Sequence, residues 1–353
     1  MELIHGGDWA GFEMEYGTRP LDFSACVSPL GLPEGARKAI CEAAADTERY
    51  PDPLCRALRQ ALAAHDGVPA DSIVCGAGAA DLIWRLCRTL RPKKAALFVP
   101  CFAEYERALE EAGTRVTRIA LRKEEEFRLT EAALKQIPVD CELLFLCNPN
   151  NPTGLLAPPE LMKCLLCRCR KTGMRLAVDE CFLEFADAPE QYSLLNALND
   201  TPELLVIRAF TKTYAMAGLR LGYVLCGDAE LADRLSGCGQ PWPVSAVAQA
   251  AGLMALQEKD YVLRLRNLVS AERQRMRASL ASLGLRVIPG EANFLLFQCG
   301  TDSLSEKLAE RGILIRDCRN FPGLERGWYR CAVRTGGEND RLMEALREVL
   351  CDG

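Results

Sequence analysis

Short apolar runs alternating with stretches of helical period constrain the fold of this chain more than any other feature. Ser72–Cys75, Ala95–Val99, Leu143–Cys147, Met174–Val178, Leu204–Ala209 and Leu221–Leu225 are nearly continuous in hydrophobic residues, and Arg115–Ala120 adds a mixed run. A strand that is apolar on both faces must be covered on both faces, the condition of a mainly parallel sheet held between two layers of helices. Ala103–Ala112 and Pro159–Lys171 supply helices between the runs, and another ends at Leu90. The expected fold is α/β. A Gly- and Pro-rich arm over residues 1–32, irregular in pattern, leads into a large domain over 33–240 and a smaller α+β domain over 241–353. In the last, one helical pattern from Ser245 to Leu283 precedes strands at Phe294–Gln298, Ile313–Arg316 and Tyr329–Val333, then a helix over Glu338–Leu350. A chain of 353 residues suits one large and one smaller domain.

Composition narrows the function. A net charge of -5 gives no electrostatic reason to expect nucleic acid or an anionic membrane surface, so a phosphorylated ligand would need local cations. No apolar run approaches the ~20 residues of a membrane span. Met1-Glu-Leu-Ile-His-Gly-Gly-Asp8 lacks the basic start and apolar core of a signal peptide, so a cytoplasmic location is expected. The 18 cysteines then read as reduced thiols filling apolar sites. Cys164-Leu-Leu-Cys-Arg-Cys169 falls in a helical stretch of a chain with only two histidines, and no second pair completes a metal-binding set, so no metal is expected.

Three stretches carry chemistry. Lys212 follows the apolar run Leu204–Ala209 within three residues, in small and apolar surroundings. A lysine that can shed its proton is a nucleophile toward carbonyl carbons and forms Schiff bases. Arg220, eight residues on, suits an anion. Gly76-Ala-Gly-Ala-Ala80 links a strand to a helix, where backbone N–H groups and the helix dipole favour a phosphate. Asp179 ends the run Leu176-Ala-Val178, a strand end that can face a site.

Thr211-Lys212, with Gly218-Leu-Arg-Leu-Gly-Tyr223 after it, resembles the lysine segment of fold-type I pyridoxal-phosphate enzymes in the class I/II aminotransferase family. Asn148-Pro-Asn-Asn-Pro-Thr-Gly154 and Val178-Asp-Glu-Cys-Phe182 agree in order. The resemblance implies pyridoxal 5'-phosphate as cofactor and catalytic roles for Lys212, as its anchor, and Asp179, at its ring nitrogen. It places Asn151 at the ring oxygen, Phe102 against the ring face, and Gly78, Ala79, Ala80, Thr211 and Arg220 around the phosphate. Ala79, Ala80 and Ala209 stand where relatives often carry polar side chains, which implies weaker cofactor retention. Tyr50 matches a tyrosine that reaches the partner subunit's cofactor phosphate, implying a homodimer. Arg334 matches the carboxylate-binding arginine, with Arg330 and Arg316 nearby for a phosphate or the surface. His5-Gly-Gly7, Asp22-Phe-Ser-Ala25, Pro29-Leu-Gly31, Arg49-Tyr-Pro-Asp52, Pro241-Trp242 and Asn320-Phe-Pro-Gly-Leu324 resemble the branch of the family that decarboxylates O-phospho-L-threonine for cobalamin synthesis. That likeness makes His5, Gly6, Asn151, Asn320 and Arg334 substrate contacts. O-phospho-L-serine is a close variant. Transamination of histidinol phosphate or a similar amino acid is the alternative, and a cofactor-binding regulatory module a third reading. Cys26 replaces an asparagine usual in that branch, which leaves substrate identity more open than reaction type.

Overall fold

The computed structural model describes residues 5–301 and 303–351. The arm is not wholly irregular. Trp9–Tyr16 is a helix, started by Asp8, whose side chain accepts from Gly11 N, and stopped by Gly17 at φ 72. Both end signals are legible in the sequence. Strand β1 (Leu21–Asp22) follows.

A seven-stranded sheet forms the large core: β2 (Ile73–Gly76), β3 (Lys94–Val99), β4 (Arg115–Ala120), β5 (Leu143–Cys147), β6 (Arg175–Asp179), β7 (Leu204–Ala209) and β8 (Gly222–Cys226). Its order is β2-β8-β7-β6-β5-β3-β4. All pairs are parallel except those of β8, which runs antiparallel to both β2 and β7. Every residue of β2, β5 and β8 is buried, the consequence of helices on both faces. The strands fall within a residue or two of the expected runs.

β9 (Arg286–Val287), β10 (Phe294–Gln298), β11 (Ile313–Leu314), β12 (Arg316–Asp317) and β13 (Trp328–Ala332) complete the strands among the described residues. A four-stranded sheet has the order β12-β13-β10-β9, and β11 pairs with β1 of the arm. The single strand expected over Ile313–Arg316 is thus two strands serving different sheets. The single helical pattern over Ser245–Leu283 is also two elements, Ala246–Ala255 and Lys259–Ser282. No Gly or Pro marks the break; Glu258 reaches across and accepts from Gly35 N at 2.6 Å. Helix Ala246–Ala255 packs on helices Glu34–Ala44 and Arg56–Asp66. No helix among the described residues is long and apolar enough to cross a membrane.

The arm is tied down along its length. Leu21 N donates to Gly312 O and Phe23 N to Leu314 O, while Ala332 N donates to Phe23 O at 2.8 Å. Ser28 N donates to Lys212 O at 2.9 Å, which joins the arm to the lysine segment. Helix Pro159–Thr172 exposes Cys164 and Cys167 and buries Cys169, so these thiols do not converge.

Candidate active site

The site lies where β5, β6 and β7 end. Asp179, the last residue of β6, is buried; its carboxylate accepts from Tyr105 Oη at 2.6 Å and from Cys181 N at 2.9 Å. Burial, with the Asp179 charge beside it, pushes the Tyr105 hydroxyl well above its usual value, so Tyr105 remains a donor. Tyr105 was not anticipated from sequence. Two accepted bonds leave a carboxylate lone-pair capacity for a third donor in the site.

Lys212 follows β7 on the short helix Phe210–Thr213. Its Nζ lies 5.6 Å over the Phe182 ring. Phe182 meets Phe294 edge-on at 5.0 Å, and Arg330 in turn lies 5.0 Å over Phe294. Lys212 and Arg330 thus lie over the faces of two rings that meet edge to face. Among the described residues no carboxylate pairs with Lys212. Burial pushes its amine below the usual lysine value, and the charges of Arg330 and Arg220 add to the effect.

Of the three asparagines in Asn148-Pro-Asn-Asn151, one faces this centre. Asn148 is occupied by Tyr192 O and Ala157 N, and Asn150 by Pro100 O and Thr153 Oγ1. Asn151 Oδ1 accepts from Arg330 Nη1. Arg330 also donates from Nη2 to Ser24 O at 3.1 Å, and its buried Nε has no partner among the described residues. Arg334 is placed differently. Its Nη2 donates to Glu338 at 2.6 Å and its Nη1 to Asp22 O at 3.0 Å, at the start of helix Gly336–Cys351. Thr335 N and Oγ1 both donate to Glu338 Oε2, at 3.1 and 2.6 Å, so Arg334 Nη2 joins the cap of that helix, while its buried Nε has no partner among the described residues and its guanidinium lies 5.8 Å over the Phe23 ring.

Gly78 (φ 87) caps helix Ala79–Leu90, and Arg220 crosses against it. A Cβ on Gly78 would lie 2.8 Å from Arg220 Nη2, and one on Gly222 only 2.9 Å from Ala79 N. The glycines therefore let a guanidinium and a helix N-terminus converge, the donor set that a phosphate requires. Thr211 is buried in the same segment. Asp81 accepts from Ala77 N at 2.8 Å and pairs with Arg85 at 2.6 Å, bracing the loop from below.

The arm closes the site. Gly7 N donates to Ser24 Oγ at 2.7 Å, and a Cβ on Gly6 would meet Ser24 O at 2.6 Å, which accounts for glycine there. The His5 and Phe102 rings lie 5.3 Å apart. His5 Nε2 contacts Glu104 Oε1 at 2.8 Å; the same carboxylate accepts from Trp84 Nε1 at 2.9 Å and Arg107 Nη1 at 2.8 Å. Asn320 accepts from Arg316 at 2.8 Å. Tyr50 is 79% exposed, stacked at 4.5 Å on Trp242, itself 41% exposed. A separate cavity of about 480 Å³ contains none of Lys212, Asp179, Asn151 or Arg330. Of its charged lining, Arg208 pairs with Glu180 at 2.8 Å and also with Asp66 at 3.0 Å.

These residues fit pyridoxal phosphate. A desolvated lysine, a buried carboxylate, an amide side chain, an aromatic ring and a glycine–arginine phosphate cradle surround one centre. The model of the family described as aminotransferase class I and II matches residues 19–348. The threonine-phosphate decarboxylase of Salmonella typhimurium is 39% identical over 98% of this chain and 96% of its own. The histidinol-phosphate aminotransferase of Desulfitobacterium hafniense is 34% identical over 92% of this chain and 90% of its own. A crystal structure of histidinol-phosphate aminotransferase from Sinorhizobium meliloti in complex with pyridoxal-5'-phosphate superposes with a TM-score of 0.87, at 25% identity, over 98% of this chain and 95% of that one.

Proposed function

The chain belongs to the class I and II aminotransferase family, and from that membership we propose that it is a pyridoxal-phosphate-dependent lyase that decarboxylates O-phospho-L-threonine. The product is the amino-alcohol phosphate used in cobalamin synthesis, in keeping with the relatives. One observation carries the substrate class. Arg316 and Arg330 are direct cross-strand partners on β12 and β13. Like charges so placed repel, and a multiply charged anion between them relieves the repulsion. A substrate with a carboxylate at one end and a phosphate at the other supplies it.

We assign the carboxylate to Arg330, beside Asn151 and the lysine, instead of to Arg334, which the sequence pattern had suggested. Its forked guanidinium suits a planar two-oxygen anion, and its buried Nε, like that of Arg334, has no partner among the described residues. We assign the phosphate to Arg316, which also donates to Asn320, and to the His5 ring of the arm.

Bound pyridoxal phosphate supplies the sink for the electron pair left when a bond at Cα breaks. Which bond breaks is set by the chain's own residues. Arg330 and the arm fix the two anionic ends, so one Cα substituent can be held in the reactive orientation, a selection worth several kcal/mol. Lys212 Nζ, with its lowered proton affinity, is placed to hold and return a proton.

Carbon dioxide release and amino transfer, measured separately, test this reading. With O-phospho-L-threonine or O-phospho-L-serine, carbon dioxide is expected without any keto acid. With histidinol phosphate and 2-oxoglutarate, little glutamate is expected. Strong amino transfer without carbon dioxide would overturn the lyase assignment and leave the cofactor residues as placed.

Glu104→Gln is expected to loosen His5 and raise KM for the phosphorylated substrate about tenfold, the worth of one charge-assisted hydrogen bond at ~1.5 kcal/mol. The kcat should change less, since Glu104 holds the arm and does not meet the reacting atoms. We also propose a homodimer in which the exposed Tyr50 reaches the partner's cofactor phosphate. Sedimentation of a fully active monomer would remove that claim.

A further inference from the structure

The cavity of about 480 Å³ apart from the lysine centre lies where helices Arg56–Asp66 and Ala246–Ala255 end and helix Lys259–Ser282 begins. Tyr50 and Trp242 precede the opposite ends of the first two helices. Arg56 to His65 spans roughly 14 Å of helix rise, so the cavity stands away from the face through which the homodimer is proposed. Ala64, Leu253, Leu256 and Val262 give it an apolar wall, and Tyr214 enters it stacked on Phe210 at 5.3 Å and on Tyr261 at 5.6 Å.

Its polar groups divide by sign. The acids are engaged: Glu180 pairs with Arg208 at 2.8 Å, Glu184 pairs with Arg266 at 3.1 Å, and Glu258 accepts from Gly35 N at 2.6 Å. Donors are left over. Tyr214 is 8% exposed, and its hydroxyl has no hydrogen-bond partner among the described residues. Lys259 has no ion pair among them. Helix Lys259–Ser282, 24 residues long, starts without a side-chain cap, because the carboxylate of its N-cap residue Glu258 is turned to Gly35. An uncapped helix start presents backbone N–H groups and the positive end of the dipole. Asp260, the acid of its first turn, is exposed and does not line the cavity.

We propose that this cavity binds a small carboxylic acid with an apolar body, at a site separate from that of the substrate. The helix start, Lys259 and the Tyr214 hydroxyl take the carboxylate, and the aliphatic wall takes the body. Burial raises the Tyr214 hydroxyl above its usual value, which keeps it a donor. His65, also in the lining, bonds Asp66 Oδ1 through Nδ1 at 3.0 Å, and that bond raises the imidazole, adding a cation on the same side of the balance. The site backs onto the reaction centre. Phe210 and Thr213 bound the short helix that carries Lys212, and Cys181 N donates to Asp179 at 2.9 Å, so an occupant contacts both segments that present the cofactor residues.

Isothermal titration of the cofactor-loaded protein with 3-phenylpropionate tests this. Saturable binding of one acid per chain is expected, and it should persist in Arg330→Ala, which removes the carboxylate-binding group assigned to the substrate site. Tyr214→Phe keeps the ring stack and should weaken binding about tenfold, the worth of one hydrogen bond to a charged group. Ala64→Phe, at an exposed helix position, fills the cavity and should abolish binding, with circular dichroism confirming the fold. The amine with the same body, 3-phenylpropan-1-amine, should not compete. Absence of saturable binding to the wild type, loss of binding in Arg330→Ala, binding unchanged by Ala64→Phe, or equal binding of the amine would each overturn the proposal.

Discussion

Lys212→Ala is expected to reduce turnover by a factor on the order of 10⁴ or more, beyond what loss of one binding contact explains, because a nucleophile and a positioned proton carrier disappear together. The fold should survive. The Lys212 side chain has no carboxylate partner among the described residues, and its removal relieves a desolvated charge next to Arg330. The check combines single-turnover kinetics with borohydride reduction and peptide mapping. Wild type should carry the reduced cofactor on Lys212, and the variant should carry none. A reducible adduct on another lysine would show that the anchor lies elsewhere.

Arg330→Ala should lower kcat/KM for O-phospho-L-threonine by ~10²–10³-fold, the usual cost of truncating a buried, hydrogen-bonded cation that meets a carboxylate. Arg330→Lys keeps the charge but loses the fork and should recover only part of the loss. Arg334→Ala should leave kcat/KM within about tenfold and lower stability by ~1 kcal/mol, because its bonds to Glu338 and Asp22 O serve a helix start. Parallel kinetics and urea unfolding of the three variants separate these outcomes. If Arg334→Ala carries the kinetic loss and Arg330→Ala does not, the assignment of the carboxylate is reversed.

That pair of arginines marks the boundary of what the sequence made legible. Lys212, Asp179 and the Gly76–Ala80 loop stand at strand ends, and strand ends are local signals: an apolar run stops and a polar residue or a glycine follows. The two arginines sit differently because β13 ends at Ala332, with Arg330 on the strand and Arg334 beyond it. A local clue to the helix start was present, since Thr335 and Glu338 have the spacing of a capping box, and Glu338 also accepts from Arg334 Nη2. Tyr105 and Glu104 had no such clue. Tyr105 meets Asp179 across 74 positions of sequence, and Glu104 meets His5 across 99. Likewise the break in the Ser245–Leu283 pattern is held by a contact to Gly35, and the split of Ile313–Arg316 follows from the arm claiming β11. Each of these depends on which segments become neighbours, and periodicity does not encode neighbours.

The stitching of the arm has a consequence for how the protein is made. Phe23 is fully buried, and its backbone is held by Leu314 and Ala332. A ribosome extends a chain at about 5–20 residues per second, so the segment around Phe23 leaves the exit tunnel roughly 15–60 s before the strand that receives it. During that interval the seven-stranded sheet can assemble, because its strands are contiguous in synthesis, while the arm waits with an aromatic side chain in solvent. The lysine pocket therefore becomes complete only when the last strand has been translated and the first has come back to meet it. Nascent chains arrested between Cys226 and Trp328 should hold a formed phosphate loop without a closed site, a state in which the newborn protein meets its cofactor before it can hold its substrate.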